Sequence, residues 1–389
     1  MRALNTVISA ILLLLWAAAC VDPFELESVG DTNFLVVEGF LSDRAKRHKI
    51  KLSRSGDLTA DQFTLESGAQ VYVEDGSGAR INYSETNPGI YETEAFASGV
   101  VGRTYNLIVI LSNGSSYVSD PVTLRSTPPM TEIKADFLLA TQNDDIDRNI
   151  FRFTVDTEDP DNLTRFYRWE WEETYEIQTP LVSRFVWIEG PIINDRLNPT
   201  NRCWASDTSN NIIIKSTEGL ERDIIQNQTI HTFRSFTEAM RVRYSILIRQ
   251  MSLSEESFRY WNQLKSFNET PGGLFDIQPA SVVGNIRSVD NQDEVVLGYF
   301  DAAQVQEERK FYTPMDFVGQ GFIPTTDALN CDLDTLTFTE LGPFMEQRTN
   351  TMNPFEVIDI IGNGVSVAPT ICTDCTNRGI NQEPEFWDE

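Results

Sequence analysis

The stretch AQVYVEDGSGARINY, Ala69–Tyr83, decides the fold class. Val71 and Val73 alternate with Tyr72 and Glu74, Asp75-Gly76-Ser77-Gly78 interrupts, and alternation resumes at Ile81 and Tyr83. Successive strand side chains point to opposite faces, so two period-two runs around a glycine-rich turn predict a β-hairpin. The same pattern extends both ways. FLVVEGFLS (34–42) and KIKLSRS (49–55) precede the hairpin, and NPGIYETEA (87–95), RTYNLIVIL (103–111) and SSYVSDPVTL (115–124) follow it. About seven short strands with no convincing helix predict a β-sandwich of immunoglobulin or transthyretin-like type over 34–126. The Pro128-Pro129 pair in STPPMTE marks its edge.

Beyond the prolines, residues 131–312 read as a larger β-rich domain. In FYRWEWEETY (166–175), alternation puts Tyr167, Trp169 and Trp171 on one face. Packing into a core is the preferred reading, and an aromatic platform for a sugar ring or peptide is the other. NIIIKS (211–216) and VRYSILIRQM (242–251) add strands. SLSEESFRYWNQLKSF (252–267) predicts one amphipathic helix, with Ser252 and Glu255 as a capping box and Phe258, Trp261 and Leu264 on one face. Thr270-Pro271-Gly272-Gly273 ends it, and Gly272, Gly273 and Phe275 are candidate ligand-contact residues in the loop that follows. Residues 313–389 have weak periodicity and read as a cysteine-containing tail tied to the body.

The mature body is thus expected to be mainly β, and the first residues say where it resides. Val7–Ala19 is apolar apart from Ser9, shorter than the ~20 residues a spanning helix needs, and ends in Ala17-Ala18-Ala19 before Cys20. Cleavage is expected at the cysteine, making residues 1–19 a signal peptide and Cys20 the lipidated first residue. The arrangement resembles a bacterial lipobox, although Ala17 stands where leucine is preferred. An ordinary secretory signal is the alternative. Asp22, Glu25 and Glu27 then make residues 20–33 an acidic tether.

Charge narrows the partners. With 31 Lys+Arg against 58 Asp+Glu, the net charge is −27, which disfavours nucleic acid and anionic surfaces. Hydrophobic content of 41% supports packed cores. Cys203, Cys331, Cys372 and Cys375 remain after Cys20, an even number in an exported chain, and predict two disulfides without saying which. A zinc site at CTDC (372–375) is the rival, but no second CxxC exists and His48 and His231 lack ligand spacing.

Catalytic signatures are sparse. HExxH, GxSxG and P-loop patterns are missing, and only two histidines exist. His48, in the basic run RAKRHK (44–49), reads as a surface residue rather than a general base. NDDIDRN (143–149) and DTEDPDN (156–162) gather oxygen ligands in turns, and Asp156, Asp159 and Asp161 are candidate calcium ligands. A solvated acidic turn is the simpler account. Asp334-Thr335-Leu336 looks like a short O-glycosylation motif.

Taken in order, CVDPFE, LVVEGFLSD, GRTYNLIV, YRWEWEETYEI, RVRYSILIRQMSLSEESFRYWNQLK, GGLFDIQPASVVGNI, VLGYF and CTDCTNRGINQEPEFW are similar to DUF4249, a Bacteroidetes surface-lipoprotein family of unknown function. The resemblance implies a lipid-anchored outer-membrane protein facing the cell exterior, accessory to a TonB-dependent receptor, with no catalytic residues to carry over. The expected function is therefore a non-enzymatic accessory lipoprotein of a TonB-dependent transporter. A surface adhesin binding glycan or protein is the alternative, and a carboxylate-dependent hydrolase comes third. No cofactor is expected beyond the lipid on Cys20, with calcium left open.

Overall fold

The computed structural model describes residues 33–56, 64–139, 149–269, 282, 284–324, 331–348 and 354–387. The described chain is mainly β, as expected. Its first strands are β1 (Leu35–Ser42), β2 (Lys49–Arg54), β3 (Thr64–Leu65), β4 (Gln70–Asp75), β5 (Arg80–Asn87), β6 (Ile90–Thr93), β7 (Thr104–Ile110), β8 (Ser116–Ser119) and β9 (Val122–Thr123). Next come β10 (Met130–Leu138), β11 (Ile150–Asp159), β12 (Phe166–Gln178), β13 (Phe185–Glu189) and β14 (Ile192–Asp195). They are followed by β15 (Arg202–Thr208), β16 (Ile213–Ser216), β17 (Asp223–Arg234) and β18 (Tyr244–Ser252). Helix α1 (Glu255–Glu269) precedes β19 (Ile286–Ser288), β20 (Leu297–Ala303) and β21 (Val305–Tyr312). β22 (Asp334–Thr337), helix α2 (Phe338–Arg348), β23 (Phe355–Ile361) and β24 (Gly364–Pro369) complete the series.

The quoted stretch forms the β4–β5 hairpin, with Val71 opposite Tyr83 and Val73 opposite Ile81. Val71, Val73 and Tyr83 are buried in one core with Leu107, Val109 and Tyr117. At the turn, Asp75 Oδ1 accepts the N–H groups of Ser77 at 2.8 Å and Ala79 at 3.0 Å. The Ser77 hydroxyl, those two N–H groups and Arg103 hold the Asp75 carboxyl down at about 2. Gly78, at φ 86°, supplies the left-handed residue the turn needs.

This sheet is not built from 34–126 alone. Its main path runs β19-β8-β7-β4-β5-β6-β2-β1-β20, with β3 on β2 and β9 on β7. Residues 286–303, which the sequence reading placed in the second domain, supply both ends of that path. β20 pairs parallel to β1, from Val36 opposite Leu297 to Ser42 opposite Ala303. A parallel neighbour needs a long crossover, and here everything between β1 and β20 provides it.

A three-stranded sheet, β10-β11-β17, and a five-stranded one, β15-β12-β18-β21 with β16 on β12, enclose a second core. Phe151, Phe153 and Val155 from the first meet Tyr167, Trp169, Tyr244 and Ile246 from the second. Tyr167 and Trp169 are buried to within 1% and Trp171 to within 8%. The aromatic face of β12 is therefore core, and the ligand-platform alternative falls for these three residues. Gln250, fully buried, joins the elements by polar contacts to Trp169, Thr157 and Pro128.

Helix α1 forms where expected, but its cap differs. Ser254 Oγ accepts the Ser257 N–H at 3.1 Å, and Ser254 O accepts that of Phe258 at 2.9 Å. Ser252 is the last ladder residue of β18, opposite Tyr167, and its hydroxyl donates to Ser126 O at 2.8 Å. Strand pairing occupied the expected cap. Phe258, Trp261 and Leu264 are half-buried, and the Phe258 ring lies 5.0 Å from that of Phe166 in β12.

The C-terminal segment is more ordered than its periodicity predicts. β22, β23 and β24 join the β13–β14 hairpin in a sheet of order β14-β13-β23-β24-β22. A second helix, α2, not expected from the sequence, packs Leu341 and Met345 against Val357, Val365 and Val367. Pro343 lies within α2. The disulfides are Cys203–Cys375 and Cys331–Cys372, each with Cα atoms 5.8 Å apart. The two cysteines of CTDC thus sit in different disulfides, and a zinc site there is excluded. Thr335 is exposed on β22, at the edge of this sheet.

Candidate functional site

A cleft of about 340 Å³ opens where the N-terminal sheet meets β12 and α1. Five chain segments build it. In β20, Tyr299 and Asp301 point the same way because they are two residues apart. The parallel register sets Glu38 beside Tyr299 and Phe40 beside Asp301. From β2, Lys51 Nζ lies 3.0 Å from Glu38 Oε1, and Lys49 Nζ lies 3.0 Å from Glu92 Oε1. β12 contributes Arg168 and Glu170 from the face opposite its buried aromatics, paired at 2.6 Å.

Helix α1 supplies the rest. Its Tyr260 ring lies 4.8 Å from that of Tyr299, tilted by 31°, and meets the Trp261 ring edge-on at 5.4 Å. The Arg168 guanidinium lies over the Trp261 ring, 3.7 Å from its centroid, a cation–π contact that fixes both groups. The Trp261 Nε1–H is buried and has no hydrogen-bond partner among the described residues. Ser257, the buried residue of α1, donates its hydroxyl to Asp301 Oδ2, while Asp301 Oδ1 accepts the Ala302 N–H at 2.9 Å. Burial pushes the Asp301 carboxyl above its usual range, partly opposed by those hydrogen bonds and by Arg168. Burial likewise raises the Tyr299 and Tyr260 hydroxyls. The helix is thereby docked on β20 by one buried polar contact and a tilted ring contact.

A second cleft, of about 400 Å³, lies between residues 101–126 and the starts of β12 and α1. Arg125, Arg165 and Glu255 are its charged residues, and Arg165 already donates to Leu220 O at 3.2 Å. The first cleft, with three rings and three charge pairs, has the richer chemistry.

Sequence reading did not assemble this site, since its residues span Glu38 to Asp301. The signal available was Tyr260-Trp261 in the helix, of which only Trp261 had been placed, on the packing face. The residues the sequence did single out lie elsewhere. Cys20, residues 21–32 of the acidic tether, Gly272, Gly273, Phe275 and 143–148 lie outside the described residues. Asp159 is a turn cap, accepting N–H groups from Asp161, Leu163 and Thr164 at 2.7–3.1 Å. Asp156 pairs with Lys134 at 2.5 Å and accepts the Asn227 N–H at 2.7 Å, and Asp161 is exposed. Among the described residues, no three His, Cys, Asp or Glu side chains are placed to share a metal ion.

His48 is not at the surface, contrary to expectation. It is 1% exposed, with Nε2 3.0 Å from Ala97 O, and burial lowers its pKa. Its role is to tie the β1–β2 connection to residues 93–97. Within the basic run around it, Arg44 pairs with Glu307, Lys49 pairs with Glu92, and Arg47 donates to Thr93 O at 2.9 Å. His231 is likewise internal, with Nε2 2.9 Å from Glu173 Oε2, which also accepts the Tyr244 hydroxyl at 2.7 Å.

No curated protein matches the chain. A solved DUF4785 family protein from Legionella pneumophila is similar at 8% identity, with 55% of this chain and 51% of that chain covered. This chain thus spans about half of that protein. The TM-score of 0.18 is too low to carry an argument. The family model described as "Domain of unknown function (DUF4249)" matches residues 21–309, which include every residue of the cleft. On that match the protein belongs to the DUF4249 family.

Proposed function

We propose that this protein is a lipid-anchored, non-enzymatic surface protein that captures a nutrient beside a TonB-dependent outer-membrane receptor. The observation that carries the capture role is the cleft itself: rings from α1 and β20 face paired charges from β1, β2 and β12. Small-ligand sites combine such apolar surface with a few fixed polar groups. The anchor and the receptor rest on the lipobox-like approach to Cys20 and on the family resemblance. Acyl chains on Cys20 would hold the protein at the membrane, each buried methylene contributing ~0.8 kcal/mol. Tethering would then raise the effective concentration of captured solute at the channel mouth.

The test is affinity purification of the tagged full-length protein from detergent-solubilised outer membranes. A TonB-dependent receptor should co-elute in stable proportion. Cys20→Ser should release the protein from membranes and abolish acyl labelling. A protein that always runs alone, or one retained on membranes after Cys20→Ser, would overturn the reading.

A further inference from the structure

We propose that the ligand of the Tyr260–Trp261–Tyr299 cleft is an uncharged saccharide, an inference that rests on the cleft being the capture site. Charge is the first argument. Lys49, Lys51 and Arg168 face the cleft against Glu38, Glu170 and Asp301, three of each sign, in a chain whose net charge is −27. Each of the three cations already has a carboxylate within 3.0 Å. A charged ligand would have to break one of these pairs and leave a charge uncompensated. An uncharged polyol need not. Its hydroxyls donate to the carboxylates and accept from the ammonium and guanidinium groups, leaving the pairs in place.

Shape and rings are the second argument. A purely apolar ligand would strip water from the five charged groups other than the buried Asp301 and return nothing. A pyranose carries both chemistries, an apolar C–H face for a ring and equatorial hydroxyls for the rim. The rings are held before any ligand arrives: Arg168 lies on Trp261, and Tyr260 lies against Tyr299. Such preorganisation lowers the entropy lost on binding. The volume of about 340 Å³ fits a mono- or disaccharide unit.

The test uses the detergent-solubilised full-length protein on a printed array of neutral, uronate-bearing and sialylated oligosaccharides, followed by calorimetry with the best neutral probe and with dipeptides. Neutral oligosaccharides should bind, with affinity changing less than about twofold between about 0.05 and 0.5 M NaCl. Trp261→Ala should weaken binding by about tenfold or more, through loss of the ring contact. Lys310→Ala, at an exposed β21 position outside the cleft, should leave it unchanged. Should Trp261→Ala lower the melting temperature enough to obscure the result, the isosteric Glu170→Gln serves instead, with an expected loss of about threefold or more. Binding restricted to acidic glycans or dipeptides, a steep salt dependence, indifference to both substitutions, or no binding at all would each overturn the saccharide assignment. Dipeptide binding abolished by Trp261→Ala would overturn it while leaving the capture role standing. Failure of a receptor to co-purify would count against the transporter role and leave the array result intact.

Discussion

The side-chain amide of Asn285 pairs with the backbone of Phe300 at both ends. Its Nδ2–H donates to Phe300 O at 2.8 Å and its Oδ1 accepts the Phe300 N–H at 2.9 Å. One side chain thus replaces a ladder rung between the segment leading into β19 and the edge strand β20. Gly284 makes the approach feasible, since a Cβ there would stand 1.5 Å from Gly298 O. Gly298 in turn sits at φ 92° against Val37 O. Asn285→Ala would leave a buried N–H and a buried C=O unpaired, and should destabilise the protein by about 2–4 kcal/mol. Urea unfolding measures this, and a loss below about 0.5 kcal/mol would show that water replaces the amide.

Trp169 and Gln250 make a comparable link in the second core. Trp169 Nε1 donates to Gln250 Oε1 at 2.8 Å, and Gln250 Nε2 donates to Pro128 O at 2.7 Å and to Thr157 Oγ1 at 3.0 Å. Trp169→Phe removes the donor and leaves a small cavity. A loss of about 2–4 kcal/mol is expected, from the unpaired carbonyl and the missing packing. Near-neutral stability in a denaturant titration would mean that Gln250 turns to another partner.

The two disulfides should differ in weight. Cys203–Cys375 joins residues 172 apart and Cys331–Cys372 residues 41 apart. Replacing Cys203 and Cys375 together by alanine should reduce stability by about 2–5 kcal/mol, and more than the other pair, because the longer loop restricts the unfolded chain more. Comparison of the two double variants by chemical denaturation without reductant checks the order. An inverted order would assign the C-terminal strap to packing around Trp387, whose ring meets Trp204 and Phe311.

Asp301 predicts a pH dependence. Burial raises its folded pKa above 3.8, so it favours the folded state fully only when protonated in both states, below the unfolded value. That contribution is lost as pH rises through the folded pKa, and at neutral pH the buried carboxylate works against folding. Asp301→Asn keeps an acceptor for the Ala302 N–H and still pairs with the Ser257 hydroxyl. It should be more stable than the parent at pH 7, with the difference fading below about pH 4. A difference that stays constant across that range would point to packing instead of charge.

What the sequence carries is local. Period-two alternation identified the β4–β5 hairpin at Val71 and Tyr83, and assigned Tyr167, Trp169 and Trp171 to one buried face. Even cysteine parity predicted two disulfides, and the α1 segment read as a helix without its true cap. These features depend on residues a few positions apart, whose spacing expresses backbone geometry directly.

The site did not depend on spacing. Nothing in the order of residues says that Glu38 will face Tyr299, or that Asn285 will complete a sheet begun at Leu35. His48 was misplaced for the same reason, because a basic neighbourhood in the chain says little about which carboxylates fold over it. By itself the sequence determined the β class, the inward faces, the oxidised cysteines and membership in a family. Only the tertiary structure decided strand partners, the pairing of Cys203 with Cys375, and the meeting of α1 with β20 over Asp301. The physical reason is that alternation tells a side chain which face to take, whereas its neighbour across the sheet is chosen by the packing of the whole core.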